Sequence, residues 1–107
     1  MKFFSALILL FSCQTYAETT LTDYKKYKDS NGMKSYVYGL GVGYAWANAE
    51  LRSKQLQPLY CQPDNLALTS DNYIQLLDDG IRKETFVSYL IEPLLLDQLI
   101  KTFPCKK

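Results

Sequence analysis

Apolar residues recur at intervals of three and four along most of this chain, and one stretch lacks that rhythm. Met33, Val37, Leu40, Tyr44, Ala47 and Leu51 form a single stripe at helical spacing, which predicts a helix from Met33 onward. Before it, Thr22-Asp23 caps a shorter, more polar helix running to about Asp29, and Asn31-Gly32 reads as its stop. Ile74, Leu77 and Ile81 share one face of a third helix, capped by Thr69 or Ser70 and running to about Lys83. From Glu84 to Phe103 the pattern is again apolar and helical, interrupted at Glu92-Pro93. Pro93 either opens the last helix at its first position or kinks a longer one. Leu95, Leu96, Leu99, Ile100 and Phe103 carry that last helix, and Pro104-Cys105 ends it. The arrhythmic stretch, Gln55 to Leu68, holds Pro58, Cys61, Pro63 and Asp64-Asn65 and reads as a loop, with at most one short turn. The predicted fold is all-α, a small bundle of about four helices in one domain spanning residues 18–107.

The charges follow the same helices. Glu50–Lys54, Asp78–Arg82, Asp79–Lys83 and Asp97–Lys101 are acid-then-base pairs four apart, the favourable orientation on an exposed helix face. Three glycines, Gly39, Gly41 and Gly43, fall inside the second helix, where each costs about 1 kcal/mol relative to alanine. They do not make a phosphate-binding turn, because Tyr44 follows Gly41-Val42-Gly43 and no strand precedes it. Gly39, Gly43 and Ala47 lie four apart, a smooth strip for close packing of another helix in the core or, alternatively, of a second subunit.

The start of the chain reads as a secretory signal over residues 1–17. Met1-Lys2 is a short positive region, Phe3 to Phe11 a nine-residue apolar run, and Thr15-Tyr16-Ala17 a cleavage site before Glu18. A stable membrane span needs about 20 apolar residues, so no permanent span is expected. An N-terminal core helix is the alternative, though no cap precedes the run. A second alternative is lipid anchoring, since Leu10-Phe11-Ser12-Cys13 resembles a bacterial lipobox in which Cys13 is acylated. By either export route one cysteine of the three is removed or lipidated, leaving Cys61 and Cys105. An even pair in an oxidising compartment predicts one disulfide, against the alternative of two unlinked buried thiols. Removing Lys2 with the leader lowers the 12 basic residues to 11, equal to the 11 acidic ones. A neutral chain with no basic block gives no reason to expect nucleic acid or an anionic membrane as partner.

Histidine is absent, which excludes Ser-His-Asp and Cys-His catalysis, most catalytic zinc sites and the usual general base at neutral pH. The conspicuous acids Asp78 and Asp79 read as solvated surface, each with its own basic partner. No cofactor or metal is expected, and the chain is not expected to be an enzyme. What stands out is aromatic content: nine tyrosines, five phenylalanines and Trp46. Tyr24, Tyr27, Tyr36, Tyr38 and Tyr44 cluster early in the exported region. Tyrosine offers large rigid area with a polar tip and is common at protein interfaces. Tyr24 and Tyr27, set among Lys, Asp and Thr, are the candidate partner contacts, at least one of them exposed, against the alternative that several of the tyrosines cover a thin core.

The order of Tyr36-Val37-Tyr38-Gly39-Leu40, the Cys61-Gln62-Pro63 loop, Leu68-Thr69 opening a helix, and Phe103-Pro104-Cys105 resembles the type VI secretion amidase immunity (Tai) family. The resemblance runs from about Met33 to Cys105, and its most specific parts are the Phe-Pro-Cys and Cys-x-Pro elements. It implies an all-α periplasmic protein of a Gram-negative bacterium, in many members dimeric. Such a protein binds a peptidoglycan-cleaving amidase toxin and occludes its active cleft. It also implies that Cys61 and Cys105 are the family's pair joining the mid-chain loop to the last helix. Many relatives carry a further cysteine pair in the N-terminal helices; here that region holds Tyr27, Tyr36 and Val37 instead, leaving the first helix less firmly tied. The expectation is therefore a periplasmic, non-enzymatic binding protein with one protein partner, and a homodimer as a further expectation. The rivals are an acid-responsive, chaperone-like helical protein and a small envelope lipoprotein.

Overall fold

The computed structural model describes residues 18–83 and 90–106; the expected leader, Cys13 and the segment 84–89 lie outside the described residues. Four helices follow in order, α1 (Leu21–Tyr27), α2 (Asn31–Ser53), α3 (Ser70–Arg82) and α4 (Ile91–Thr102). The fold is an all-α bundle held by a Cys61–Cys105 disulfide.

Local chemistry sets the helix starts. The Thr20 hydroxyl accepts from the Asp23 N–H at 3.1 Å, so α1 is capped two residues before the expected Thr22. The Ser30 hydroxyl accepts from the Met33 N–H at 3.1 Å and donates to the Tyr27 carbonyl at 2.7 Å. One serine thus ends α1 and opens α2, which places Asn31-Gly32 in the first turn of α2 rather than at the stop of α1. At α3, Thr69 and Asn72 cap each other reciprocally, the capping-box arrangement. The fourth helix has no side-chain cap. Its Ile91 N–H donates instead to the Thr19 carbonyl at 2.9 Å, beside an isolated antiparallel bridge between Thr20 and Leu90. Pro93 is the third residue of α4, in the first turn where an amide has no helical acceptor to lose.

α2 closes with a Schellman arrangement: Leu56 N–H donates to the Leu51 carbonyl and Gln55 N–H to the Arg52 carbonyl, both at 2.9 Å. Gln55 takes the left-handed conformation this requires, with φ of 59°.

The core gathers Leu21 and Tyr24 from α1, Val37 from α2, Tyr60 from the loop, Tyr73 and Leu77 from α3, and Ile91, Leu94, Leu95 and Leu99 from α4. Full burial of each such aliphatic side chain is worth about 1.5–3 kcal/mol. α3 packs against both α2 and α4. Where it crosses α2, the Tyr73 ring lies directly on Gly41; a Cβ there would sit 2.4 Å from the ring. Against α4, Gly80 leaves room for Leu94 and Gln98, each 3.0 Å from where its Cβ would be.

Two expected features are corrected. The strip of Gly39, Gly43 and Ala47 is not a helix-packing seam of this bundle: all three are exposed, and a Cβ at either glycine meets nothing within 4 Å. At about 100° per residue, position 39 lies more than half a turn from Val37, while Gly41 falls close to it. Ala47 likewise leaves the buried stripe, and Asn48 takes its place. The expected charge pairs are also redistributed. Glu50–Lys54 and Asp97–Lys101 form at 3.1 and 2.8 Å, but Asp79 pairs with Arg82 and Asp78 turns to Lys28 at 3.6 Å.

Candidate functional site

Tyr24 is not a surface contact. It is fully buried, and its hydroxyl donates to Asp78 at 2.9 Å, so the residue ties α1 to α3. Burial first, and then the bond to the Asp78 carboxylate, push its phenol well above the usual range. The physical reason is spacing: Tyr24 follows Leu21 by three, which puts it on the one apolar stripe of α1 despite its charged neighbours. Tyr27 is 48% exposed, with the Lys26 ammonium 5.2 Å from the centre of its ring.

The surface that the fold leaves open is the outer face of α2. From Ser35 to Ala49 the helix carries no charge, and its outward positions include Gly39, Val42, Gly43, Trp46 and Ala49. Trp46 is 72% exposed, the most exposed large apolar side chain among those described. The loop that follows α2 adds Leu56, Leu59 and Leu66, also exposed. Single exposed apolar residues need no explanation, but an uncharged helix face carrying a naked tryptophan makes this face the candidate contact surface.

On its adjoining side α2 forms, with the same loop, a polar recess of about 160 Å³. Asn48 builds it. Its amide donates to the Tyr60 carbonyl at 2.9 Å and its carbonyl accepts from the Leu59 N–H at 2.8 Å, so a buried side chain holds the loop backbone as a strand partner would. The disulfide and a bond from the Cys61 N–H to the Phe103 carbonyl, at 2.7 Å, fasten the next residue to the end of α4. Arg52 stands at the opening, 3.5 Å from Asp64. The Tyr60 hydroxyl and the Gln62 side-chain oxygen are closed off from solvent and have no hydrogen-bond partner among the described residues. Burial raises the Tyr60 phenol to about 12, against a smaller lowering by Arg52.

A second polar centre lies at the other end of α4. Both Glu92 carboxylate oxygens accept from the Thr19 N–H, at 3.1 and 3.0 Å, and one also accepts from the Tyr36 hydroxyl. Tyr44 donates to the Glu92 carbonyl at 2.7 Å. Burial and the bond to Glu92 raise the Tyr36 phenol to about 12. A carboxylate in the first turn also sits favourably in the helix field. This centre fastens the chain before α1 to α4.

Among the described residues, no group of three or more His, Cys, Asp or Glu side chains converges in a way that could hold a metal ion. No described helix is long and apolar enough to cross a membrane. The residues that shape the recess, Asn48, Arg52, Tyr60 and Gln62, carried no motif in the sequence; the one available signal was Asn48 falling where the buried stripe of α2 continues.

Fold and site together define a small disulfide-linked helical protein that presents an apolar helix face beside a polar recess. Comparison with family models, with curated proteins and with solved structures finds no match to the chain.

Proposed function

We propose that the chain is an exported, non-enzymatic binding protein of the immunity type, which protects its cell by seating on a peptidoglycan amidase toxin of type VI secretion and blocking its active cleft. The observation that carries this reading is the outer face of α2, where Trp46 stands 72% exposed on an uncharged surface. Tryptophan is the side chain most often found to dominate protein–protein affinity. The disulfide supports an oxidising compartment, in keeping with the leader-like start and hence with the periplasm. The resemblance of the Cys61-Gln62-Pro63 and Phe103-Pro104-Cys105 elements supplies the toxin class.

The test is periplasmic co-expression with candidate amidase toxins, scored by survival and by co-purification. Trp46→Ala is expected to weaken the complex about 30-fold, the size of a 2 kcal/mol hot spot, with the melting temperature unmoved. Failure of the wild-type chain to protect against, or co-purify with, any such toxin refutes the reading.

Self-association is a second reading, favoured by the pattern of large and small residues on the same face. A two-fold axis between Val42 and Gly43 of antiparallel α2 helices seats each Trp46 over the open space at Gly39 of the second copy. Sedimentation of wild type against Gly39→Leu decides it: a dimer that the substitution dissociates supports this arrangement, and a monomeric wild type removes it.

A further inference from the structure

We propose that Asn31 is a site of spontaneous deamidation, whose aspartyl product supplies α2 with the acid that its first turn lacks. The chemistry is internal to the Asn31-Gly32 pair. The Gly32 nitrogen attacks the side-chain carbonyl carbon of Asn31; a C–N bond forms, that nitrogen gives up its proton, and the side-chain amide leaves as ammonia. Water then opens the cyclic imide. Hydrolysis at the side-chain carbonyl yields Asp. Hydrolysis at the main-chain carbonyl yields isoaspartate, whose main chain is one methylene longer.

The chain has asparagine at 31, 48, 65 and 72, and the structure separates the first from the others. Asn31 and Gly32 are both exposed, and among the described residues neither the Asn31 amide nor the Gly32 N–H has a hydrogen-bond partner. Position explains this: the first N–H groups of a helix have no intrahelical acceptor, and the Ser30 cap serves the Met33 N–H instead. Glycine has no side chain to obstruct the ring, and even a Cβ at Gly32 would meet nothing within 4 Å. The attack needs Asn31 to leave helical backbone angles, and the terminal turn is where helices fray. The other three asparagines are held. Asn48 is buried in mid-helix with both ends of its amide on the loop backbone. Asn72 accepts from the Thr69 N–H, and the N–H that follows it, of Tyr73, donates to the Thr69 carbonyl. Asn65 is followed by a leucine, whose N–H donates to the Pro63 carbonyl at 3.0 Å.

The two products differ in what they do to α2. Its first turn contains no acidic residue. A carboxylate at position 31 meets the positive end of the helix field and lies three residues before Lys34, close enough to pair with it. Isoaspartate instead lengthens the main chain between Ser30 and Met33, the two residues that the 3.1 Å cap joins. Asp therefore suits the start of the helix, and isoaspartate strains it.

The experiment incubates the oxidised protein at mildly alkaline pH and follows tryptic peptide 29–34, in which Asn31 is the sole side-chain amide, by mass spectrometry against a zero-time sample. Exchange of NH₂ for OH is expected there several-fold faster than at Asn48, Asn65 or Asn72. Gly32→Ala is expected to slow it several-fold and to melt no lower than wild type, since its Cβ has open space and alanine favours a helix. Asn31→Asp should likewise melt no lower than wild type, whereas the isoaspartate form, separated chromatographically from aged protein, should melt lower. Deamidation of 29–34 no faster than at the other asparagines, or undiminished in Gly32→Ala, overturns the site. A lower melting temperature for Asn31→Asp overturns the role given to its product. Toxin binding rests on the outer face of α2 from Ser35 onward and stands or falls separately.

Discussion

The inner and outer faces of α2 both carry glycine, and for opposite reasons. On the inner face Gly41 lets the Tyr73 ring of α3 rest on the helix backbone, where a Cβ would come within 2.4 Å of it. Val37, Tyr44 and Asn48 flank that contact, and each touches another element or the loop. On the outer face Gly39 and Gly43 meet nothing, and Trp46 projects beside them. A glycine in a helix interior costs about 1 kcal/mol relative to alanine. Packing offsets that cost at Gly41. At Gly39 and Gly43 nothing among the described residues offsets it, which fits the contact surface proposed above. Residue type alone does not distinguish buried from exposed glycine positions here; register does.

The sharpest way to break the contrast is to release the loop that the inner face holds. Cys61→Ser removes a bridge that spans 44 residues, for which chain entropy predicts a loss of about 4 kcal/mol and a drop in melting temperature of roughly 15–25 °C. Equal melting of mutant and oxidised wild type would falsify the structural role of the bridge. Asn48→Ala comes next, since it leaves the Leu59 N–H and the Tyr60 carbonyl unmet. Urea denaturation should show a loss of about 2–3 kcal/mol, and a value near zero would mean the loop does not depend on the inner face. Gly41→Ala should cost about 1–3 kcal/mol through forced movement of the Tyr73 ring.

High pH tests the same face without mutation. Tyr60 is raised to about 12 in the folded state, above the unfolded value near 10. The unfolded chain therefore loses its proton first, and stability that is complete below about pH 10 falls as pH rises toward 12. The slope for Tyr60 is up to about 1.4 kcal/mol per pH unit, and Tyr36, raised in the same direction, steepens it. A melting temperature flat between pH 9 and pH 11 would contradict this. The smallest effect has the opposite sign: Gly39→Ala should stabilise the monomer by about 0.5–1 kcal/mol. A loss there instead would contradict an open face at Gly39.

Much of the helical framework was legible because caps and periodicity are local. Thr69 with Asn72, the Ile74–Leu77–Ile81 face and the end of the last helix all state themselves within a few residues. The errors came where a local pattern had to be placed on a face. Tyr24 looked exposed because Lys25 and Lys26 follow it, although its register with Leu21 buries it. The Gly39–Gly43–Ala47 spacing was real, but nothing in it tells inside from outside; that depends on where α3 lies. The recess was not legible at all. Its shape depends on Asn48 meeting Leu59 and Tyr60 and on Cys61 meeting Cys105, and neither encounter leaves a periodic trace.

The two fastenings of α4 carry a consequence for the order in which the protein assembles. Thr19 finds its acceptor on Glu92, 73 residues later, and Cys61 finds Cys105, 44 residues later. A chain made from its N-terminus has α1 and α2 complete while both of these partners are still to come. The first half meets α3 first, through Tyr73 on Gly41, but its ties to Glu92 and Cys105 wait for α4. Contacts of such long sequence separation slow folding because the loops they close must form first. Both closures therefore wait on the last helix, and the sulfur bridge cannot form before the chain is complete to Cys105.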